Sequence, residues 1–250
     1  AVYKYNDGAT DDAALTRAVM KSAQSLGTEV MMPSEFISAT PGKVVNEIKY
    51  SVNGTIHTCK SRLLVNSAGP WANDVLDKVT PTPEKLEFDL VAGAHIVIDE
   101  PSPHGMYYVE ALQDQRAVFV MPWKGKTMVG TTETVFKGNP SDVVPLPEEE
   151  TYLCEVASSY FPKFKDLTRE KISDSFSGLR VLPHATGKAF SRPRETTFHR
   201  DKKTAPRIAT IYGGKLTAYR ITAEKFVAKF ANLLPNRKRK AATSKLPLTS

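Results

Sequence analysis

Cysteine is almost missing from this chain: Cys59 and Cys154 are the only two in 250 residues, and they stand apart with no metal-type spacing. That excludes a disulfide scaffold and a cysteine-based metal motif. It fits a reduced, cytoplasm-facing compartment in which both thiols are packing residues. Long apolar runs are missing too: no stretch approaches the roughly 20 residues that would span a bilayer, and no signal-like N-terminus is visible. Internal repeats and low-complexity segments are absent. Acidic residues are in deficit, 27 against 34 basic ones, for a net charge of +7. That balance suits an anionic substrate, an anionic membrane surface or nucleic acid. Part of it sits in Arg237-Lys238-Arg239-Lys240, read as a solvated terminus, and no nucleic-acid recognition motif accompanies it, so no nucleic-acid partner is expected. An apolar content of 41% is ordinary for a globular chain long enough for one large or two small domains.

What is present reads as alternating elements. Asp11-Asp12 open an amphipathic helix over 13–26, closed by Gly27. Residues 29–32 read as a buried strand, and 36–40, 44–52 and 55–59 as short strands, the last two joined by an Asn53-Gly54 hairpin. Another strand covers 62–66, then a helix runs to Val79 and a Pro-rich linker spans 80–84. Strands at 89–98, 106–111, 117–122 and 127–132 predict an antiparallel sheet. A helix over 146–161 starts with Glu148, Glu149 and Glu150, which suit its N-terminal dipole. Strands at 171–180 and 196–200 flank a loop at 182–193.

The stretch ATIYGGKLTAYR (209–220) is the centre of this order. A short strand with Ile208, Thr210 and Tyr212 is broken by Gly213-Gly214, after which 216–234 reads as one helix. Strand, Gly-Gly, helix brings backbone N–H groups close to a ligand at the positive end of a helix dipole. Lys215 opposes that dipole, a local cost that suggests a task for it; a solvated lysine at a tight turn is the plainer reading.

Three pieces add to this in combination: VNSAGPWA (65–72), FSGLRVLP (176–183) with SRPRE (191–195), and YGGKLTAYR (212–220). Their order and wording resemble the FAD-dependent glycerol-3-phosphate dehydrogenases, members of the broader D-amino-acid-oxidase-like flavoenzyme family. The likeness runs through YNDGATDDAALT (5–16), GAHIVI (93–98) and FVMPWKGKTMVGTTE (119–133) to KLPLTS (245–250), essentially the whole chain. One departure stands out. The family opens with a strand and a GxGxxG turn that holds the FAD pyrophosphate at a helix N-terminus, and no GxGxxG occurs here. The resemblance therefore implies a middle segment of a larger protein, one that holds no FAD and is inactive by itself.

The resemblance also implies roles. Lys215 matches a lysine near flavin and substrate, where a cation stabilises negative charge on the N1/C2=O edge of the ring. Gly213, Gly214, Leu216 and Thr217 match the backbone along that edge. Ala68, Gly69 and Trp71 match a turn beside the cofactor, although a core aromatic is an equal reading of Trp71. Phe36 matches a position whose backbone faces the adenine. Arg180 and Arg194 match two arginines that bind the substrate phosphate, for which planar bidentate donors suit a dianion. A surface arginine is the competing reading for each, and Arg192 competes with Arg194. His95 matches a histidine near the substrate that would accept the C2 hydroxyl proton, where a strand histidine is otherwise a satisfied core residue. Thr131 and Thr132 would support the site through their hydroxyls.

The expected fold is α/β, leaning to α+β: a partial FAD-binding domain (1–79 and 204–250) with an inserted antiparallel-sheet substrate-binding domain (80–203). The implied reaction oxidises glycerol 3-phosphate to dihydroxyacetone phosphate, with electrons passing to a quinone and peripheral contact with the inner face of the cell membrane. Alternatives are a related flavoenzyme acting on an amine or 2-hydroxy acid, or a non-catalytic partner-binding module.

Overall fold

Helix α1 (Asp12–Ser25) begins where the sequence places it. The Asp11 carboxylate accepts the Ala14 N–H at 2.9 Å and satisfies one free donor of the first turn. In the computed structural model, which describes residues 3–102, 104–184, 195–236 and 242–248, the next segment departs from expectation. Residues 29–32 form no strand, and Met31 and Met32 are 41% and 71% exposed. An apolar run becomes a strand only when a neighbour takes its N–H and C=O groups, and among the described residues none pairs with it. Strands β1 (Glu35–Pro41), β2 (Asn46–Val52) and β3 (Thr55–Ser61) then form an antiparallel sheet in that order. The expected hairpin is there: Asn53 at φ +49° and Gly54 at φ +81° supply the two positive dihedrals of a tight two-residue turn. Strand β4 (Leu64–Asn66), a 3₁₀ turn (Gly69–Trp71) and helix α2 (Ala72–Asp77) follow.

Next come β5 (Phe88–Ile98), β6 (Tyr107–Glu110), β7 (Ala117–Trp123), β8 (Lys126–Gly130), β9 (Thr134–Phe136), helix α3 (Pro147–Tyr160) and β10 (Ile172–Pro183). They build an antiparallel sheet in the order β10-β5-β8-β7-β6, with β9 also paired to β5. Strand β9 was not expected; three residues are too few for a period to show. One face of the sheet is apolar: Ala94, Ile96, Ile98, Val118, Val120 and Val129 pack against Leu153, Cys154, Val156 and Ala157 of α3. Burying each branched aliphatic side chain is worth about 1.5–3 kcal/mol. Glu149, one of the three glutamates at the helix N-terminus as the sequence implies, is also buried. Its carboxylate accepts the Leu146 N–H at 3.0 Å and the Thr132 and Thr134 hydroxyls at 2.7 and 2.6 Å. These charge-assisted bonds and the helix N-terminus make the burial tolerable.

Strands β11 (Thr197–Arg200) and β12 (Ile208–Tyr212) complete a third sheet in the order β11-β12-β4, in which β12 runs parallel to β4. One parallel pair among antiparallel ladders is the α/β, α+β-leaning architecture read from the sequence. Helix α4 (Tyr219–Lys229) lays Phe226 against Ala209 of β12, with Phe230 just beyond its end. The single helix expected over 216–234 is a 3₁₀ turn (Leu216–Ala218), α4 and a second 3₁₀ turn (Ala231–Leu233). The first turn starts at Lys215, whose side chain has no acceptor with which to cap it.

The chain divides into two units: Ala1–Ser67, Asp74–Glu84 and Thr196–Ser250 in the first, Ala68–Asn73 and Lys85–Glu195 in the second. The joins differ from the expected 79/80 and 203/204. Residues 80–84 and 196–203 belong to the first unit, where His199 Nε2 lies 3.1 Å from the Glu84 carbonyl oxygen and β11 pairs with β12. Residues 68–73 belong to the second unit, where the Gly69–Trp71 turn lies against β10. Among the described residues, no helix is long and apolar enough to cross a membrane.

Two groups on α3 predict a loss of stability in alkali. Burial, with a smaller contribution from Glu150, pushes the Cys154 thiol from 9.0 up to about 11. Burial and then the hydrogen bond to Asp114 push the Tyr152 hydroxyl from 10.0 up to about 12. Below their unfolded values neither group distinguishes the two states by charge. Above them the unfolded chain releases its protons first, so stability falls as pH rises from about 9 through about 12. The urea midpoint followed against pH should decline over that window; a midpoint that stays level there contradicts the assignment.

Candidate functional site

Alternation along β5 sends Ala94 and Ile96 to the helix and leaves Gly93 and His95 on the opposite face. Register aligns Phe176 of β10 and Gly130 of β8 with His95, Gly178 with Gly93, and Arg180 with Val91. Two glycines make room there for two large side chains. A Cβ on Gly130 would lie 2.7 Å from Cγ of the His95 ring, so the imidazole lies across the Gly130 backbone. A Cβ on Gly93 would meet Thr131 Oγ1 at 2.5 Å and Arg180 Nη2 at 2.9 Å, so the guanidinium rests over Gly93. Glycine inside a strand is the sign of such close approach.

The two side chains are held by their neighbours. His95 stacks on Phe176, ring centroids 5.0 Å apart and planes within 8°. Arg180 Nη2 donates to Thr131 Oγ1 at 3.2 Å, and Nη1 donates to the Thr132 carbonyl at 3.5 Å and lies 3.6 Å from the Glu133 carboxylate. Glu133 is 5% exposed and Arg180 is 25% exposed. Arg180 is therefore no solvated surface arginine: it is fixed from one side and reaches solvent with the remainder. Thr131 sits where the sequence suggested support. Thr132 also hydrogen-bonds, but its hydroxyl turns to the helix face, accepting the Ala94 N–H at 2.9 Å and donating to Glu149.

The structure thus brings His95 and Arg180 together on one face of one sheet. Trp71 is 41% exposed, which removes the core-aromatic reading, and its N–H donates to the Ala68 carbonyl at 3.1 Å. Gly69, in the same turn, has φ +55°, and a Cβ there would meet nothing within 4 Å. In the first unit, Gly213 (φ +69°) and Gly214 (φ +101°) end β12, and a Cβ on Gly214 would also lie 2.6 Å from Thr196 Oγ1. Lys215, Leu216 and Thr217 follow, all exposed. Phe36 packs its ring against the core of Ala39, Ile48, Leu76 and Val79, and its carbonyl accepts Lys78 Nζ at 3.2 Å. Arg194, its competitor Arg192 and the basic run 237–240 lie outside the described residues. Sequence reasoning misses Glu133, Gly93, Gly130 and Phe176 as parts of the site; the glycines inside the strands are the usable signal. A cavity of about 520 Å³ elsewhere in the second unit, lined by Ile98, Glu100, Lys163, Phe164, Asp166 and Lys171, contains none of these residues.

Half-buried Gly213 and exposed Gly214 are followed by an exposed lysine and an exposed hydroxyl at a 3₁₀ turn. The space over Gly69 is likewise open. Neither offers a pyrophosphate cradle, since the 250 residues contain no GxGxxG. The FAD dependent oxidoreductase family matches residues 1–220, and the chain belongs to it.

Two relatives are named for phosphorylated polyols. D-erythritol 1-phosphate dehydrogenase of Brucella abortus (strain 2308) is 29% identical over 93% of this chain and 47% of its own length. Aerobic glycerol-3-phosphate dehydrogenase of Escherichia coli (strain K12) is 31% identical over 91% of this chain and 46% of its own length. The structure of glycerol-3-phosphate dehydrogenase from Bacillus halodurans complexed with FAD matches with a TM-score of 0.76 and 29% identity, covering 92% of this chain and 44% of that one. The chain spans about half the length of the curated relatives it matches.

With no GxGxxG turn among its 250 residues, the purified chain should retain less than stoichiometric FAD. The visible flavin band against protein absorbance measures it; an equimolar yellow protein overturns the expectation.

Proposed function

We propose that this chain is part of an enzyme that oxidises the C2 hydroxyl of glycerol 3-phosphate to give dihydroxyacetone phosphate, with electrons passing on to a quinone. The first unit contributes to FAD binding and the second binds the substrate. One observation carries the reading: Arg180 is set over Gly93 by Thr131 and Glu133 with a quarter of it in solvent, a fixed planar donor of the kind that recognises phosphate. The names of the relatives support the same substrate class. Arg180 holds the phosphate, joined by Arg194. His95, seated on Gly130 and braced by Phe176, takes the hydroxyl proton. Lys215, Gly213, Gly214, Leu216 and Thr217 hold the ring edge of the cofactor, Ala68, Gly69 and Trp71 lie beside it, and the Phe36 backbone faces its adenine. FAD, when bound, supplies the two-electron acceptance. A quinone acceptor resides in the bilayer, so the enzyme works at the inner face of the cell membrane.

A second reading, oxidation of a four-carbon polyol phosphate, is supported by the erythritol 1-phosphate relative. Comparing kcat/KM of the FAD-loaded enzyme on glycerol 3-phosphate, D-erythritol 1-phosphate and glycerol tests both. A site built to bind the phosphate should favour either phosphate ester over glycerol by at least about a thousand-fold. The better ester decides between the readings. Equal rates with glycerol, or preference for an amine or 2-hydroxy acid, overturn both.

A further inference from the structure

We infer that Glu133, together with Thr131, is a positioning residue for the substrate: it sets the plane and direction of the Arg180 guanidinium. The inference rests on the reading that Arg180 binds a phosphorylated substrate. Three consecutive residues of the GTTE segment grip one side of that guanidinium: Thr131 through its hydroxyl at 3.2 Å, Thr132 through its carbonyl at 3.5 Å, and Glu133 through its carboxylate at 3.6 Å. Gly93 supplies the floor, since any side chain there would displace both Thr131 and Arg180. An arginine on a long flexible stem is a poor template for a tetrahedral anion until its fork is fixed, because the loss of rotamer freedom then falls on the binding step. Glu133, at 5% exposure, is too buried to act as a solvated counter-ion, and the segment that holds it is itself clamped to α3 through Thr132 and Glu149.

Charge and geometry make opposite predictions here. As a bare charge, Glu133 repels a phosphate dianion, so removing it would tighten binding. As a positioning group it helps binding, so removing it weakens binding.

The test measures, on the FAD-loaded full-length enzyme of which this chain is part, KM and kcat for glycerol 3-phosphate and for glycerol, the Kd for glycerol 3-phosphate by calorimetry, and the thermal midpoint. Glu133→Ala should raise KM and Kd for glycerol 3-phosphate by roughly ten- to thirty-fold, the loss expected when a buried ion pair no longer aims the guanidinium. The loss on glycerol, which has no phosphate for Arg180 to hold, should be several-fold smaller than the loss on glycerol 3-phosphate. Glu133→Gln keeps an acceptor of the same shape without the charge and should recover most of the loss. Thr131→Val, close in volume, should give a smaller rise of about three- to ten-fold and covers the case in which the Glu133 variants fold poorly. Tighter phosphate binding in Glu133→Ala, equal losses on both ligands, or a fall in the thermal midpoint with no change in KM overturns the positioning role. Arg180→Ala separates the two layers: if it loses phosphate binding and Glu133→Ala does not, positioning alone fails. If Arg180→Ala changes nothing, the substrate reading fails with it.

Discussion

Replacing Arg180 by lysine should lower kcat/KM for glycerol 3-phosphate by roughly ten- to a hundred-fold although the charge is kept, the equivalent of about 1.5–3 kcal/mol for one lost charge-assisted hydrogen bond. The guanidinium already has its donors engaged on one side, Nη2 on Thr131 and Nη1 on the Thr132 carbonyl, with the Glu133 carboxylate paired to it at 3.6 Å. A planar fork can hold these and still present N–H groups to a phosphate, whereas a compact ammonium attracted to a buried carboxylate serves one partner at the expense of the other. Glycerol has no phosphate to hold, so its kcat/KM should change far less. Steady-state kinetics on the two substrates gives the answer: parallel losses would make Arg180 a structural brace only.

The largest effect is expected from Gly130→Ala. The new methyl would occupy space filled by the His95 ring, which cannot slide freely because it is stacked on Phe176. Overpacking of this kind costs about 1–3 kcal/mol of stability. Displacing the proton acceptor adds a fall in kcat of about a hundred- to ten-thousand-fold. Gly178→Ala provides the control on the neighbouring strand, because a Cβ there meets nothing within 4 Å. It should leave stability unchanged or raise it by about 0.5–1 kcal/mol, as alanine for glycine does in an unstrained strand. If urea denaturation finds Gly130→Ala as harmless as Gly178→Ala, the imidazole is not seated on that backbone.

Local chemistry was legible in the sequence where one segment decides its own conformation. The Asn53-Gly54 hairpin, the Asp11 cap and the strand period from 88 to 130 depend on neighbours a few residues away. Family wording placed His95 and Arg180, and the structure sets both on one sheet face. The seat beneath them was not legible. It is assembled from residues 93, 130, 131, 133 and 180, which only strand register brings together. Glu149 lies in the first turn of α3, where its sequence position puts it, but its burial was not legible, because that depends on two threonines from another strand region. Residues 29–32 have a strand's composition, but composition does not say whether a pairing partner is at hand. The 216–234 helix failed at its ends, where 3₁₀ turns keep nearly the same apolar spacing as an α-helix.

The alternation within Thr131-Thr132-Glu133-Thr134 bears on how such an enzyme can diversify. The side chains at the odd positions hold Arg180, and those at the even positions hold Glu149 and through it the helix, Thr132 reaching Arg180 only through its backbone carbonyl. Ligand preference and foldability are thus written on alternate letters of one four-residue word. A combinatorial library at 131 and 133 would sample new substrates on an intact scaffold, and most of its members should express. A library of equal size at 132 and 134 would be emptied by misfolding before any selection for activity began. Lineages that change substrate should therefore vary at the odd letters and leave the even ones alone.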